Sequence, residues 1–367
     1  MISQQNRSQY ETLIPFGISD DEVRAVGDDP TLEPGRVVAV SRGALLAHTR
    51  FGETWCTLSG NAWAAVEETG RTPCAGDWIV VKPYADGSGA SCEGVLPRRS
   101  LLERHAAGRE SKSQPLAANI DAVLIVMGLD ANFNPSRMER FVAVAWASGA
   151  QPVAILNKAD VVDAPDDYVR RIEGVSPGVP VHAVSAVDGT GLEQLSTYVG
   201  TGATAVLLGS SGVGKSTILN RLAGAELRAT REVRSTDGRG RHTTSLRELF
   251  VVPAGGCLID SPGVREVGLW GDESMLDDTF ADVAELAAQC KFSDCAHESE
   301  PGCAVKAALQ SGALAYERYE SYLELKRELE FVAARTDQRL RHERRKRNKE
   351  IAQYGRAVQK RKRNGRR

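Results

Sequence analysis

Three glycines, at 209, 212 and 214, followed by Lys215 and Ser216, leave this stretch of chain few folds to choose from. The octad from Gly209 to Ser216 reads GSSGVGKS and matches G-x-x-x-x-G-K-[ST] in full. It follows the apolar run AVLL at 205–208 and opens a helical pattern. Small residues let backbone N–H groups surround an anion, and the helix N-terminus adds a favourable dipole. Gly209, Ser210, Ser211, Gly212, Val213, Gly214, Lys215, Ser216 and the adjoining Thr217 are therefore expected to hold nucleotide phosphates. Lys215 would reach the β- and γ-phosphates and Ser216 would ligate Mg²⁺. A strand that turns into a helix through such a loop belongs to an open, mainly parallel α/β sheet.

A second set of residues specifies the base. Asn157-Lys158-Ala159-Asp160 follows the strand run VAIL. The Asp160 carboxylate there can accept two hydrogen bonds from guanine, at the ring N–H and the exocyclic amine, which adenine does not offer together. Asn157 would support the base loop, and the stem of Lys158 would lie over the ring. Ser185-Ala186 follows VHAV, where a small residue lets the Ala186 N–H approach the guanine carbonyl. Asp260-Ser261-Pro262-Gly263 follows CLI and fits D-x-x-G, with Asp260 near Mg²⁺ and the Gly263 N–H on the γ-phosphate. In Ras-like GTPases the base tetrad comes after the phosphate loop; here it comes before, so the order of the parts is permuted.

The polar stretch EVRSTDGRGRHTTS at 232–245 lies where a first switch loop belongs. Thr244, with Thr243 as the alternative, would close on Mg²⁺ and the γ-phosphate. The residue after Gly263 is Val264, where Ras-like enzymes carry a Gln that orients the attacking water. Valine cannot do so, which implies slow intrinsic hydrolysis unless another group acts. His242 is the internal candidate for catalysis; its alternative is a solvated loop histidine.

Cys290, Cys295, His297 and Cys303 offer three thiolates and one imidazole within 14 residues. That set suits one closed, tetrahedral, structural zinc site; the alternative is buried thiols beside a chance histidine. Seven cysteines in all, an odd number, argue against a disulfide framework.

The chain has 367 residues, enough for two or three cores. Residues 1–32 read as an N-terminal arm, flexible or a partial cover. Residues 33–105 show short alternating strands with frequent Gly and read as an OB-type barrel of about five strands, the alternative being a small β-domain used only as a spacer. Arg104 to Asn119 reads as a linker. Residues 115–272 alternate apolar strands with helices, which means a mainly parallel sheet, and with the motifs above read as a circularly permuted GTPase domain. Residues 273–335 read as a zinc-binding helical domain, and 336–367 as a basic tail. The fold class is thus multi-domain: an N-terminal β barrel, a central α/β P-loop GTPase domain and a C-terminal α-helical zinc-binding domain.

The net charge of −2 conceals an asymmetry. Arg339 to Arg367 holds 14 basic and 2 acidic residues, leaving 32 basic against 46 acidic elsewhere. A basic tail on an acidic body fits a polyanionic partner such as RNA, or else a solvated helix. No apolar run approaches the roughly 20 residues that span a bilayer. MISQQNRSQYETL lacks the pattern of a signal peptide, so a cytoplasmic protein without membrane contact is expected.

With these residues assembled, the chain closely resembles the ribosome small-subunit-dependent GTPase A family (RsgA/YjeQ), circularly permuted bacterial GTPases. The resemblance runs from about Gly35 to Val332. It rests on NKAD, SA, GSSGVGKST, GRGRHTTS, DSPGVREVGLW and CKFSDCAHESEPGCAV. It implies GTP hydrolysis late in maturation of the 30S subunit, stimulated by that subunit, with 16S rRNA and GTP/GDP as partners. It also implies zinc on Cys290, Cys295, His297 and Cys303, a catalytic role for His242, and Mg²⁺ bound with GTP. A monomer is expected. The competing readings are a nucleotide-gated RNA-binding module with negligible turnover, and an ATP-dependent P-loop enzyme, which Asp160 opposes.

Overall fold

The computed structural model describes residues 2–41, 43–105, 113–210, 212–224, 248–260, 279–292, 295–297, 300–316, 318–323 and 325–326. Ser211, His242, Thr243, Thr244, Gly263, Val264 and the basic tail lie outside the described residues.

Alternating strands at the N-terminal side close into a barrel. Its strands are β1 (Glu33–Ser41), β2 (Ala44–Thr49), β3 (Gly52–Leu58), β4 (Trp78–Pro83) and β5 (Ala90–Val95). They are ordered β1-β2-β3-β5-β4, and β4 returns to β1. The β3–β5 pair is parallel and the others are antiparallel. This is the five-stranded arrangement expected of an OB-type barrel. Val37, Leu45, Cys56, Ile79, Val81 and Cys92 fill the interior. A helix, Gly60–Thr69, joins β3 to β4. The sequence reading gave only strands here. The signal was nevertheless present: Ser59 caps the helix by accepting from the Ala62 N–H at 3.3 Å, and Gly70 ends it in the left-handed region.

The arm is a packed cover. Leu13, Phe16 and Ile18 are buried, and the Phe16 ring stacks on His48 of the barrel at 4.4 Å. Gly17, at φ +82°, lies so close to Gly202 that a Cβ would sit 2.5 Å from the Gly202 carbonyl oxygen. The segment that reads as a linker likewise contributes strand on either side of residues 106–112. β6 (Leu101–His105) and β7 (Ser113–Ala118) pair antiparallel, and Leu116, Ala117 and Ala118 are fully buried. The apolar run PLAA at 115–118 forms most of β7, although the residues before it are polar.

The central layer follows from alternation along one strand. All seven residues of β8 (Ala122–Gly128) are buried. Val123, Ile125 and Met127 share a core with Met138, Phe141 and Val142 of the helix Pro135–Ala147 and with Ile172 of the helix Pro165–Val175. Leu124 and Val126 share the opposite core with Ile218, Leu219 and the 3₁₀ segment Leu192–Val199. Beside β8 lie β9 (Gln151–Asn157), β10 (Val181–Val184), β11 (Thr204–Leu208), β12 (Glu248–Val251) and β13 (Cys257–Asp260). Their order is β10-β9-β8-β11-β13-β12, parallel except for β12. One pair, Ala39 to Glu248, carries the sheet on into the barrel.

A buried guanidinium stiffens that junction. Arg36 of β1 is fully buried; its Nη2 donates to Asn119 O at 3.0 Å and to Thr204 Oγ1 at 3.2 Å, and it lies over the Trp78 ring. The C-terminal part holds the helices Ala281–Ala288 and Ala304–Ser311 and a further helical stretch at 316 and 318–323. Among the described residues, no helix is long and apolar enough to cross a membrane.

Candidate functional site

Parallel strands end at one edge, and that edge is where ligands bind in open α/β sheets. β9 ends at Asn157, β10 leads into Ser185-Ala186, β11 leads into Gly209, and β13 ends at Asp260. The base tetrad and the phosphate loop, far apart in sequence and inverted in order, therefore share a rim.

Asn157 ties three of these loops together. Its Nδ2 donates to Val213 O of the phosphate loop at 2.8 Å, and its Oδ1 accepts from the Ala186 N–H at 3.0 Å. The side chain is 2% exposed, so water cannot substitute for either partner. Gly214, at φ +99°, is required beside it: a Cβ there would fall 2.1 Å from Asn157 Nδ2. Ser185 and Ala186 are buried, while Asp160 presents an exposed carboxylate at the same rim.

Lys158 adopts the left-handed region at φ +67°, which turns the chain after β9. Its Nζ donates to Asp130 Oδ2 at 2.6 Å. That bond, together with the Asn132 N–H, pulls the Asp130 carboxyl down to about 2.

The phosphate loop passes into a helix at 215–224, with Gly212, Ser216 and Thr217 exposed and Val213 buried. Lys215 Nζ donates to the loop carbonyls of Gly209 at 2.7 Å and Ser210 at 2.5 Å. Arg221, on the same helix, donates from Nε to Ala186 O at 3.0 Å and also to Val187 O. Asp260 stands half-buried at the end of β13, next to the phosphate-loop strand β11. Asp130, Arg221 and Arg137, whose Nη1 donates to Ser210 Oγ at 3.0 Å, carry contacts that no motif announces. They belong to no motif, and tertiary placement alone gives them a role.

The cysteine cluster is brought together as expected. The ligand atoms of Cys290, Cys295, His297 and Cys303 all lie within 4.8 Å of one another. Cys290 Sγ is 3.9 Å from Cys303 Sγ, and His297 Nδ1 is 3.6 Å from Cys290 Sγ and 3.4 Å from Cys303 Sγ. Metal–sulfur bonds of about 2.3 Å and metal–nitrogen bonds of about 2.0 Å give tetrahedral edges of about 3.8 and 3.5 Å. The donor set fits a metal ion on both chemistry and spacing. Backbone amides support the sulfurs: the Ala304 N–H donates to Cys290 Sγ and the Lys306 N–H to Cys303 Sγ, each at 3.4 Å. His297 reaches the cluster from the left-handed region at φ +63°.

This unit is clamped to the central layer. Arg318, 3% exposed, donates from Nη1 to Glu139 Oε1 at 2.7 Å and from Nη2 to Asp282 Oδ1 at 2.8 Å. It also donates to Thr279 O and lies over the Phe280 ring at 4.3 Å.

Comparison with known proteins agrees with this geometry. A family model described as RsgA GTPase matches residues 95–270. A protein of Streptomyces coelicolor named small ribosomal subunit biogenesis GTPase RsgA is 43% identical over 370 residues, covering 100% of both chains. The crystal structure of YjeQ from Thermotoga maritima superposes with a TM-score of 0.62 at 27% identity, covering 81% of this chain and 98% of that one. YloQ, described as a circularly permuted GTPase, has the same fold at a TM-score of 0.60 and 24% identity, covering 83% of this chain and 97% of its own.

Proposed function

The chain belongs to the RsgA GTPase family, and from that premise we propose that it hydrolyses GTP during biogenesis of the small ribosomal subunit. The observation that carries this reading is the Asn157 amide bridging Val213 O and the Ala186 N–H, because it unites base-reading and phosphate-binding loops.

In this reading Asp160 accepts from guanine, the Ala186 N–H lies near the base carbonyl, and the stem of Lys158 covers the ring. The amides of residues 209–216 surround the phosphates, with Lys215 on their charge and Thr217 in the first helical turn. Ser216, Asp260 and Thr244 would hold Mg²⁺, which supplies neutralisation of the phosphate oxygens when bound. Gly263 would meet the γ-phosphate. His242 acts on the attacking water in place of the absent Gln, since Val264 cannot.

The four ligands Cys290, Cys295, His297 and Cys303 hold one zinc ion with no open position, so its role is structural. The partners are the 30S subunit and its 16S rRNA, met by a cytoplasmic monomer through the barrel, the C-terminal unit and the basic tail. The domain limits that organise this reading are 33–105, 115–272 and 273–335. GTP hydrolysis by the full chain, measured with and without purified 30S subunits, tests the proposal. Slow basal turnover raised by subunits and abolished in His242→Ala is the expected result. Unstimulated turnover would favour a nucleotide-gated RNA-binding module instead.

A further inference from the structure

We propose that Arg137 is a positioning residue of the nucleotide site, holding the phosphate loop through the hydroxyl of Ser210. The inference rests on the GTP reading above and adds a residue that lies in none of its motifs.

The geometry begins with a rigid support. Asn134 caps the helix Pro135–Ala147, its Oδ1 accepting from the Arg137 N–H at 2.9 Å, and Pro135 sets the first turn. One residue on, Met138 is fully buried, and Glu139 is clamped by Arg318. Arg137 thus starts from a backbone fixed on both sides. Its Nη1 donates to Ser210 Oγ at 3.0 Å and its Nη2 to Asn132 O at 3.2 Å. Asn132 belongs to the turn whose Asp130 holds Lys158 of the base tetrad. The guanidinium therefore spans from the turn that braces the base loop to the second residue of the phosphate loop.

Two physical consequences follow. A charge-assisted hydrogen bond to Ser210 limits the conformations of a loop whose amides must converge on phosphate, and preorganisation of this kind raises affinity. A fixed positive charge beside the loop also favours a polyanionic ligand. Both act on binding more than on the chemical step, so the signature is a KM effect larger than the kcat effect.

The test uses the full chain and four variants: Arg137→Gln, Arg137→Lys, Ser210→Ala and the Arg137→Gln/Ser210→Ala double variant. Equilibrium binding of fluorescent GDP and steady-state GTP hydrolysis are read for each. Loss of one charge-assisted bond predicts about tenfold weaker GDP binding in each single variant. The double variant should be no weaker than Arg137→Gln alone, because both substitutions break one interaction. Arg137→Lys, which keeps the charge without the planar fork, should fall between wild type and Arg137→Gln. Ser210→Ala removes a single half-buried oxygen and keeps the test valid should Arg137→Gln fold poorly. Wild-type affinity in Ser210→Ala, or effects that multiply in the double variant, would overturn the proposal. Absence of GDP binding by the wild type would instead overturn the reading on which it rests.

Discussion

The amide of Asn157 is committed at both ends, one to Val213 O and one to the Ala186 N–H, in a place 2% exposed. Truncating it leaves a buried carbonyl and a buried N–H unpaired, which costs about 1–3 kcal/mol. Asn157→Ala should therefore unfold at lower urea and bind GDP far more weakly, as followed by denaturation with and without the nucleotide. Asp130 makes a separate prediction, in acid. Its folded carboxyl is held at about 2, below the ordinary 3.8, by the Lys158 hydrogen bond. A depressed carboxyl contributes stability that is complete above the unfolded value and is lost as pH falls through the folded one. The window is thus from pH 4 down to about 2. Stability of Asp130→Asn, measured across that range, should vary less with pH than that of the wild type. Asp160 stands out in the sequence as a candidate because its neighbours form a motif. Asp130 was not, since its partner is 28 residues away and the turn between them follows no pattern.

Elements were legible where period and composition agreed. β8, β9 and β11 read as buried strands because each carries a run of consecutive apolar residues, VLIVM, VAIL and AVLL, and a doubly covered parallel sheet needs that. The helix Gly60–Thr69 was not legible because eight of its ten residues face water, which leaves it almost no apolar period. The arm was underestimated for a related reason. Leu13, Phe16 and Ile18 are spaced irregularly, and their burial depends on the barrel and sheet they cover. The cysteine unit was legible because ligand chemistry survives without regular structure. Its short helix Ala304–Ser311 starts at Cys303, so metal and helix are linked. Elemental analysis should find one zinc per chain. A strong chelator should lower helical signal and release the thiols of Cys290, Cys295 and Cys303 to a thiol reagent. Unchanged helicity after complete metal loss would contradict a structural role.

At the scale of the molecule, permutation places the phosphate half of the site after the base half, and the sheet recombines them at one rim. The parallel α/β sheet was legible from the alternation of apolar strands and helices, but its order, with β9 and β11 flanking β8, was not. How the flanking units attach did not follow. Among the described residues the barrel joins through the pair Ala39–Glu248, the buried Arg36 and the bonds from Ala118 N–H to Ala75 O and from Asn119 Nδ2 to Gly76 O, and the C-terminal unit through Arg318. Neither arginine belongs to a motif, so nothing in the sequence marks it as buried. Removing one member of a buried ion pair costs about 3–5 kcal/mol. Arg318→Met should loosen the C-terminal unit while the barrel stays folded, visible as faster amide exchange in Ala281–Ala288 and Ala304–Ser311. The central claim is that the two loops form one guanine-nucleotide pocket, and the most direct test is competition between GDP and XDP for the wild type and Asp160→Asn. The account predicts that the wild type prefers GDP and that Asp160→Asn turns preference toward XDP, with the phosphate loop unaltered. Retained preference for GDP in Asp160→Asn, or no nucleotide binding by the wild type, would contradict it.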